Sequence, residues 1–219
     1  MYSDRRSTKD LTYSIESDFS INGKVDSLLF FLEIYLPEFP EKIQTKKNTD
    51  ERIVNQKLLR FFRTKNSLYQ FIPENQDETG INKSKPDFGV YEKEFDKDGI
   101  EVYDDNQIRF FDIECKRLYD TTKSKQYVSD KKGGGGIQRF KNNKHGVDLD
   151  HSAMIGYIET QNFDFWHGKV NSWILDKKEH LEMIDIQKIA KYKSTHKRIN
   201  SKKHSIELTH FWLNLAQIV

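Results

Sequence analysis

An aspartate directly after a proline, Pro86-Asp87, and a later run, Glu114-Cys115-Lys116, are the residues of this 219-residue chain best suited to chemistry. The second run lies within Arg109 to Arg117, which reads as a strand. Side chains alternate across a strand, so Phe111, Ile113 and Cys115 share one face while Asp112, Glu114 and Lys116 share the other. The first face is apolar and reads as core. The second sets two carboxylates and an ammonium side by side on rigid backbone. Like charges one pleat apart repel, and the arrangement calls for a cation between them; a hard divalent metal held by oxygen suits it. Lys116 beside a metal-activated water can help stabilise hydroxide or the charge of a transition state. Asp87 adds a further ligand if the turn at Asp104-Asp105-Asn106 returns the Glu114 strand beside it.

The surrounding elements must bring these groups together. A helix is expected over Lys24–Leu36, stopped by Pro37-Glu38-Phe39-Pro40, because proline removes a donor and disfavours helix before it. A second helix opens at Asn48 or Thr49 and runs to about Lys65, with Val54, Leu58, Phe61 and Phe62 on one apolar stripe. Phe71-Ile72-Pro73 closes that region, and a polar loop leads to Lys85. A β-meander follows: a strand from Asp87 to Phe95, a tight turn over 96–99, a return from Ile100 to Tyr103, then the strand from Gln107 to Leu118. After a loop over 119–136 come a short helix (Ile137–Asn143), a strand (Ala153–Glu159), a helical segment (Phe163–Leu175) and strand-like runs at 192–198 and 205–215. This order predicts an α/β fold with a mixed central sheet flanked by helices, an N-terminal helical extension and a β-containing C-terminal tail. It predicts a single domain over 1–219, with an N-terminal arm and helix over 1–47, the catalytic core over 48–160, and a C-terminal helix and strands over 161–219.

Lys85-Pro86-Asp87 followed by Glu114-Cys115-Lys116, with 26 residues between the two acids, resembles the signature of the PD-(D/E)xK nuclease superfamily. The proline, both acids, the apolar flank of the Glu-x-Lys run and the hairpin between them are all similar to the family pattern, over roughly residues 48–160. The resemblance implies a restriction-endonuclease-like core and phosphodiester hydrolysis. It also implies Mg²⁺, with Mn²⁺ able to substitute, bound by Asp87, Glu114 and the backbone carbonyl of Cys115, with Lys116 positioning the nucleophilic water. Related nucleases place a further acid on the helix before the meander, which nominates Glu51. The alternative for Glu51 is a helix-capping role, since Asn48 and Glu51 have capping-box spacing and an acid in the first turn favours the helix dipole. Family members also carry a glutamine after the meander that touches substrate or water, which nominates Gln138. RecB-type members add a tyrosine four residues later, where this chain has Asn142.

Net charge is only +2, but its distribution is uneven. Residues 121–145 carry seven Lys or Arg against the one acid Asp130, and residues 187–204 carry seven more and no acid. Two such stretches fit a phosphate-tracking surface and nominate Lys131, Lys132, Arg139, Lys141, Lys197 and Arg198 as nucleic-acid contacts; solvated lysine-rich faces are the plain alternative. Lys131 and Lys132 precede four glycines that read as a flexible lid over the cleft, or else as a plain disordered linker. The single cysteine excludes an intrachain disulfide and a cysteine-based zinc site, and seven histidines show no tight ligand spacing. The basic, polar start MYSDRRSTKD and a longest apolar run of nine residues, Leu28–Leu36, argue against a signal peptide and a membrane span; a cytoplasmic protein is expected. The expected function is a Mg²⁺-dependent nuclease, a DNA endonuclease ahead of an enzyme acting on RNA, with a homodimer or larger complex as its candidate assembly. The alternatives are a nucleic-acid-binding module that does not cut, or a structural subunit of a defence or mobile-element complex.

Overall fold

Helix α1 runs from Ile21 to Tyr35, three residues earlier than its apolar pattern suggests. Pro37 does not stop the chain outright. It sits at the second position of a 3-10 turn (Leu36–Glu38), where its missing N–H is no loss, and a one-turn helix α2 (Phe39–Lys42) follows. The computed structural model describes residues 21–43, 49–65, 68–73, 85–102, 107–129, 134–199 and 201–216. Helix α3 spans Glu51–Arg63, and its cap is Asp50, whose carboxylate accepts the Arg52 N–H at 2.8 Å. Asn48, the other half of the anticipated capping box, lies outside the described residues. The stripe Val54, Leu58, Phe61 and Phe62 is buried as its spacing requires.

Strand β1 (Tyr69–Pro73) replaces the expected simple closure, pairing antiparallel with β2 (Phe88–Glu92). The predicted hairpin forms as β3 (Glu94–Phe95) and β4 (Glu101–Val102), but as a separate two-stranded ribbon. The third strand of the meander, β5 (Phe111–Leu118), pairs antiparallel with β2. Helix α4 (Gly136–Lys141) then leads to β6 (His151–Ile158), parallel to β5. Helix α5 (Phe163–Trp173), β7 (Glu182–Ile186), β8 (Ile189–Lys197) and β9 (Ser205–Asn214) complete the chain. One mixed seven-stranded sheet results, ordered β1-β2-β5-β6-β9-β8-β7. The expected C-terminal tail is therefore part of the sheet: β9 lies parallel against β6, and β8 and β7 extend it outward. The near-continuous burial of β9 marks a strand covered on both faces. No helix among the described residues is long and apolar enough to cross a membrane.

Two apolar layers flank the sheet. Helices α1–α3 pack Leu28, Leu32, Leu58 and Phe62 against the face that carries Ile113, Cys115 and Ile155. On the other face α4 and α5 bring Ile137, Phe140, Trp166 and Val170 against Met154, Tyr192 and Trp212. Gly156 lets the Trp212 indole lie flat on the sheet, since a Cβ there would stand 2.5 Å from its ring. Gly156→Ala is expected to lower stability by about 1–3 kcal/mol through this overpacking, read as a lower urea midpoint at unchanged slope.

The glycine run does not form a lid where it is described. Gly135 is buried at a φ of +99°, and a side chain there would meet the Ser129 backbone at 2.6 Å. Gly136 is wedged against Met154 and the Tyr127 carbonyl. Lys131, Lys132 and Gly133 lie outside the described residues.

Candidate active site

Strand β5 is paired with β2 only through Phe111, Asp112 and Ile113. Beyond that point its edge is bare, and the N–H groups of Cys115 and Arg117, two residues apart, point the same way. Carboxylates fill the gap. Asp87, just ahead of β2, accepts the Cys115 N–H on Oδ2 at 2.8 Å, and Glu51, at the first turn of α3, accepts the Arg117 N–H on Oε2 at 3.0 Å. Both acids are thereby docked by backbone onto the strand that carries Glu114.

The Lys116 ammonium sits where these groups converge. Its Nζ lies 2.8 Å from Glu114 Oε1, 3.0 Å from Glu51 Oε1 and 3.9 Å from Asp87 Oδ2, and it donates to the Cys115 carbonyl at 2.7 Å. Glu114 is 1% exposed on its side chain, and it also contacts Arg139 Nη1 at 3.1 Å on Oε1 and stands 3.5 Å from His145 Nδ1 on Oε2. The strand alternation thus holds: Cys115 is buried in the core on one face, and Glu114 and Lys116 turn to the other. Asp112 shares that face but serves the scaffold, accepting the Gly146 N–H at 2.7 Å and facing Arg109 Nε at 3.1 Å.

Burial and charge set the protonation of the cluster. Asp87 is pushed up to about 6, first by burial and then by the Glu114 charge, against the pull of Lys116, the Cys115 N–H and Arg139. Burial alone would lower Lys116, but Glu114, Asp87 and Glu51 together reverse this and hold the ammonium well above the usual lysine range. His145 is driven down to about 3 by burial and by the Arg139, Lys116 and Arg109 charges, so it is neutral at physiological pH. Burial raises the Cys115 thiol well above its ordinary range, which removes it as a nucleophile.

No family model, curated protein or solved structure matches the chain. The site is therefore read from its own geometry. Oxygens of Asp87, Glu114 and Glu51 and the Cys115 carbonyl converge on one point, a donor set of the hard kind that Mg²⁺ takes. Lys116 occupies that point. Among the described residues no three His, Cys, Asp or Glu side chains are disposed to hold a metal ion as they stand. The donors suit a divalent cation in kind, and the Lys116 ammonium stands at the point they share.

The remaining expected residues are distributed differently. Gln138 does not turn to the carboxylates; its Nε2 donates to Asn142 Oδ1 at 2.9 Å, along α4. Ile137 and Phe140 do face the core, and the residue this rotation delivers to Glu114 is Arg139. Lys141 is ion-paired with the buried Glu179, and Arg198 donates to Asn143 and to the carbonyls of Gly146 and Leu149 at 2.6 and 2.8 Å. Those two hold the fold together rather than present charge. Lys197 is exposed, and its N–H bonds Glu179. The second basic stretch is largely neutralised from within, through Lys188 with Glu41, Lys191 with Glu33, Lys193 with Glu207 and Lys203 with Asp150. His145 and the site role of Arg139 were not foreseen. Arg139 is one helical position from Gln138, and His145 had no spacing signal.

His145 and Asp87 have opposite effects on acid stability. The folded pKa of His145, about 3, lies below its ordinary 6.5, so stability is lost as pH falls below 6.5. The folded pKa of Asp87, about 6, lies above its ordinary 3.8, so its ionisation penalty fades as pH falls through 6. Removing the histidine leaves only the second effect. Relative to wild type, His145→Gln is expected to gain about 2–3 kcal/mol between pH 7.5 and 4.5, measured by urea unfolding at each pH.

Proposed function

We propose that this protein is a Mg²⁺-dependent nuclease of the PD-(D/E)xK kind, cutting phosphodiester bonds in DNA as an endonuclease. The observation that carries the reading is the convergence of Asp87, Glu114, Glu51 and the Cys115 carbonyl on the Lys116 ammonium. The succession α3, the antiparallel β1-β2-β5 unit, α4 and the parallel β6 supports it, being the order that the family resemblance implies for a restriction-endonuclease-like core.

In this reading Asp87, Glu114 and the Cys115 carbonyl hold the metal, with Glu51 as a further oxygen donor. Bound Mg²⁺ would neutralise phosphate charge and acidify a water near the scissile bond. Lys116, released from the carboxylates, offers its proton-bearing nitrogen to the attacking water and to the charge that builds on phosphate. Arg139, partly exposed beside Glu114, would offer its remaining guanidinium N–H groups to phosphate oxygen. Neutral His145 stands 3.5 Å from Glu114 and adds no charge there.

A nucleic-acid-binding module that does not cut is the competing reading, and the observation favouring it is that Lys116 already neutralises the acids. Incubation of purified protein with single- and double-stranded DNA and RNA, in Mg²⁺ or Mn²⁺, separates the two. Cleavage abolished by Asp87→Ala and by Lys116→Ala is the expected result. Salt-sensitive binding with no cleavage in either ion would establish the module instead.

A further inference from the structure

Helix α3 carries Glu51 at its start and no other acid, yet it holds Arg52, Lys57, Arg60 and Arg63. Positions 52, 56, 60 and 63 fall on one stripe of a 3.6-residue helix. All four of their residues, Arg52, Gln56, Arg60 and Arg63, are exposed. At roughly 1.5 Å rise per residue, Arg60 lies roughly 13 Å along the axis from the site acid Glu51. The stripe ends at a cavity of about 540 Å³.

That cavity pairs an apolar floor with a cationic rim. Phe39, Ile43 and Phe61 make the floor, and Lys42, Lys57, Arg60 and Lys65 stand around it, with no acid lining it among the described residues. Glu38 neutralises Lys65 at 2.6 Å, which leaves Lys42 and Arg60 as its exposed cations. Lys65 Nζ also lies 4.8 Å over the Phe61 ring. A volume of this size accepts a small flat molecule. An apolar floor with charges at the mouth selects a ligand whose body is aromatic and whose edge is anionic, which is the chemistry of a nucleotide. Continuity with an arginine stripe leading back to Glu51 favours a polymer of nucleotides over a single one.

We infer that a single-stranded nucleic acid lies along the exposed face of α3, its phosphates on Arg52, Arg60 and Arg63. One unstacked base rests in the cavity over the accessible part of Phe61 and the Lys57 and Lys65 stems, with its phosphate on Lys42 and Arg60. This contact does not depend on cleavage, so it is tested in EDTA, where failure of the nuclease reading has no bearing on the outcome. The probe is a fluorescently labelled decathymidylate, and the readout is anisotropy.

Lys42→Glu/Arg60→Glu, both at exposed positions, is expected to weaken binding at least about ten-fold and to flatten its salt dependence, at an unchanged melting temperature. Lys177→Glu/Lys178→Glu, exposed and remote in sequence, is expected to stay within about two-fold, since its charges lie off the proposed path. Should the glutamate pair disturb folding, Lys42→Gln/Arg60→Gln removes the same cations without adding acids and is expected to weaken binding in the same direction. The inference is overturned by any of four results: no binding by wild type, unchanged affinity in the cavity variants, equal loss in the control pair, or saturation by thymidine monophosphate at the affinity of the oligomer. A duplex of the same length that bound more tightly than the strand would overturn the single-stranded assignment.

Discussion

Lys116→Met is expected to unfold about 3–5 kcal/mol more easily than wild type at pH 7.5 and to lose nuclease activity. The ammonium is the charge shared by three acids, at 2.8, 3.0 and 3.9 Å from Glu114, Glu51 and Asp87. Methionine fills much of the volume of the lysine stem, so the change is electrostatic rather than a cavity. It leaves Glu114, with 1% of its side chain exposed, with Arg139 as its one charged partner among the described residues. Breaking a buried pair by removing one partner is far more damaging than never having built it, because the remaining charge stays out of water. Two further measurements identify the cause. Adding Glu114→Gln to Lys116→Met should recover much of the lost stability and none of the activity, the coupling expected of groups in one network. Mn²⁺ should raise the melting temperature of Lys116→Met more than that of wild type, since the oxygens are then free of the ammonium and ligand binding stabilises the folded state by mass action. A variant as stable as wild type and indifferent to Mn²⁺ would contradict the electrostatic picture.

Much of this cluster was legible in the sequence because it lies on a strand. Alternation with a period of two decides, from residue types alone, that Glu114 and Lys116 share a face and that Cys115 turns away. The same rule placed Asp112 with them but could not see Gly146 and Arg109, which come from outside the strand and commit it to the scaffold. The helix α4 was harder. One residue of rotation is about 100° on a helix, and the difference between Gln138 and Arg139 is one residue. The charge count misled for a different reason. Lys191 meets Glu33, 158 residues away, and no local window reveals that a basic run will be neutralised by the far end of the chain. Of the C-terminal strands β8 and β9 were found and β7 was not, and a run buried on both sides does not announce its neighbours: only the pairing of β9 with β6 shows it to be central. The α/β class and the mixed sheet follow from element order; the sheet order does not.

Asp87→Asn is expected to make the protein more stable while removing its activity. The carboxylate is ionised in a place that disfavours it: burial and the Glu114 charge raise its pKa from the usual 3.8 to about 6. A shift of that size corresponds to roughly 2–3 kcal/mol of penalty carried by the native state at neutral pH. Asparagine keeps a side-chain oxygen for the Cys115 N–H, bonded at 2.8 Å in the wild type, and sheds the charge. The attraction to Lys116 is already counted in that value, which is the net of burial and Glu114 against Lys116, the Cys115 N–H and Arg139. Urea unfolding at pH 7.5 should therefore show a gain of about 2 kcal/mol. An acid whose folded pKa is raised loses its penalty as pH falls from that value toward its unfolded one, so the two proteins should converge below about pH 4. A buried carboxylate whose ionisation costs the fold is what the proposed metal-binding role asks of Asp87. A variant that is less stable at both pH values would mean that the Asp87 charge is needed by the fold itself, and its claim to a catalytic role would then rest on activity alone.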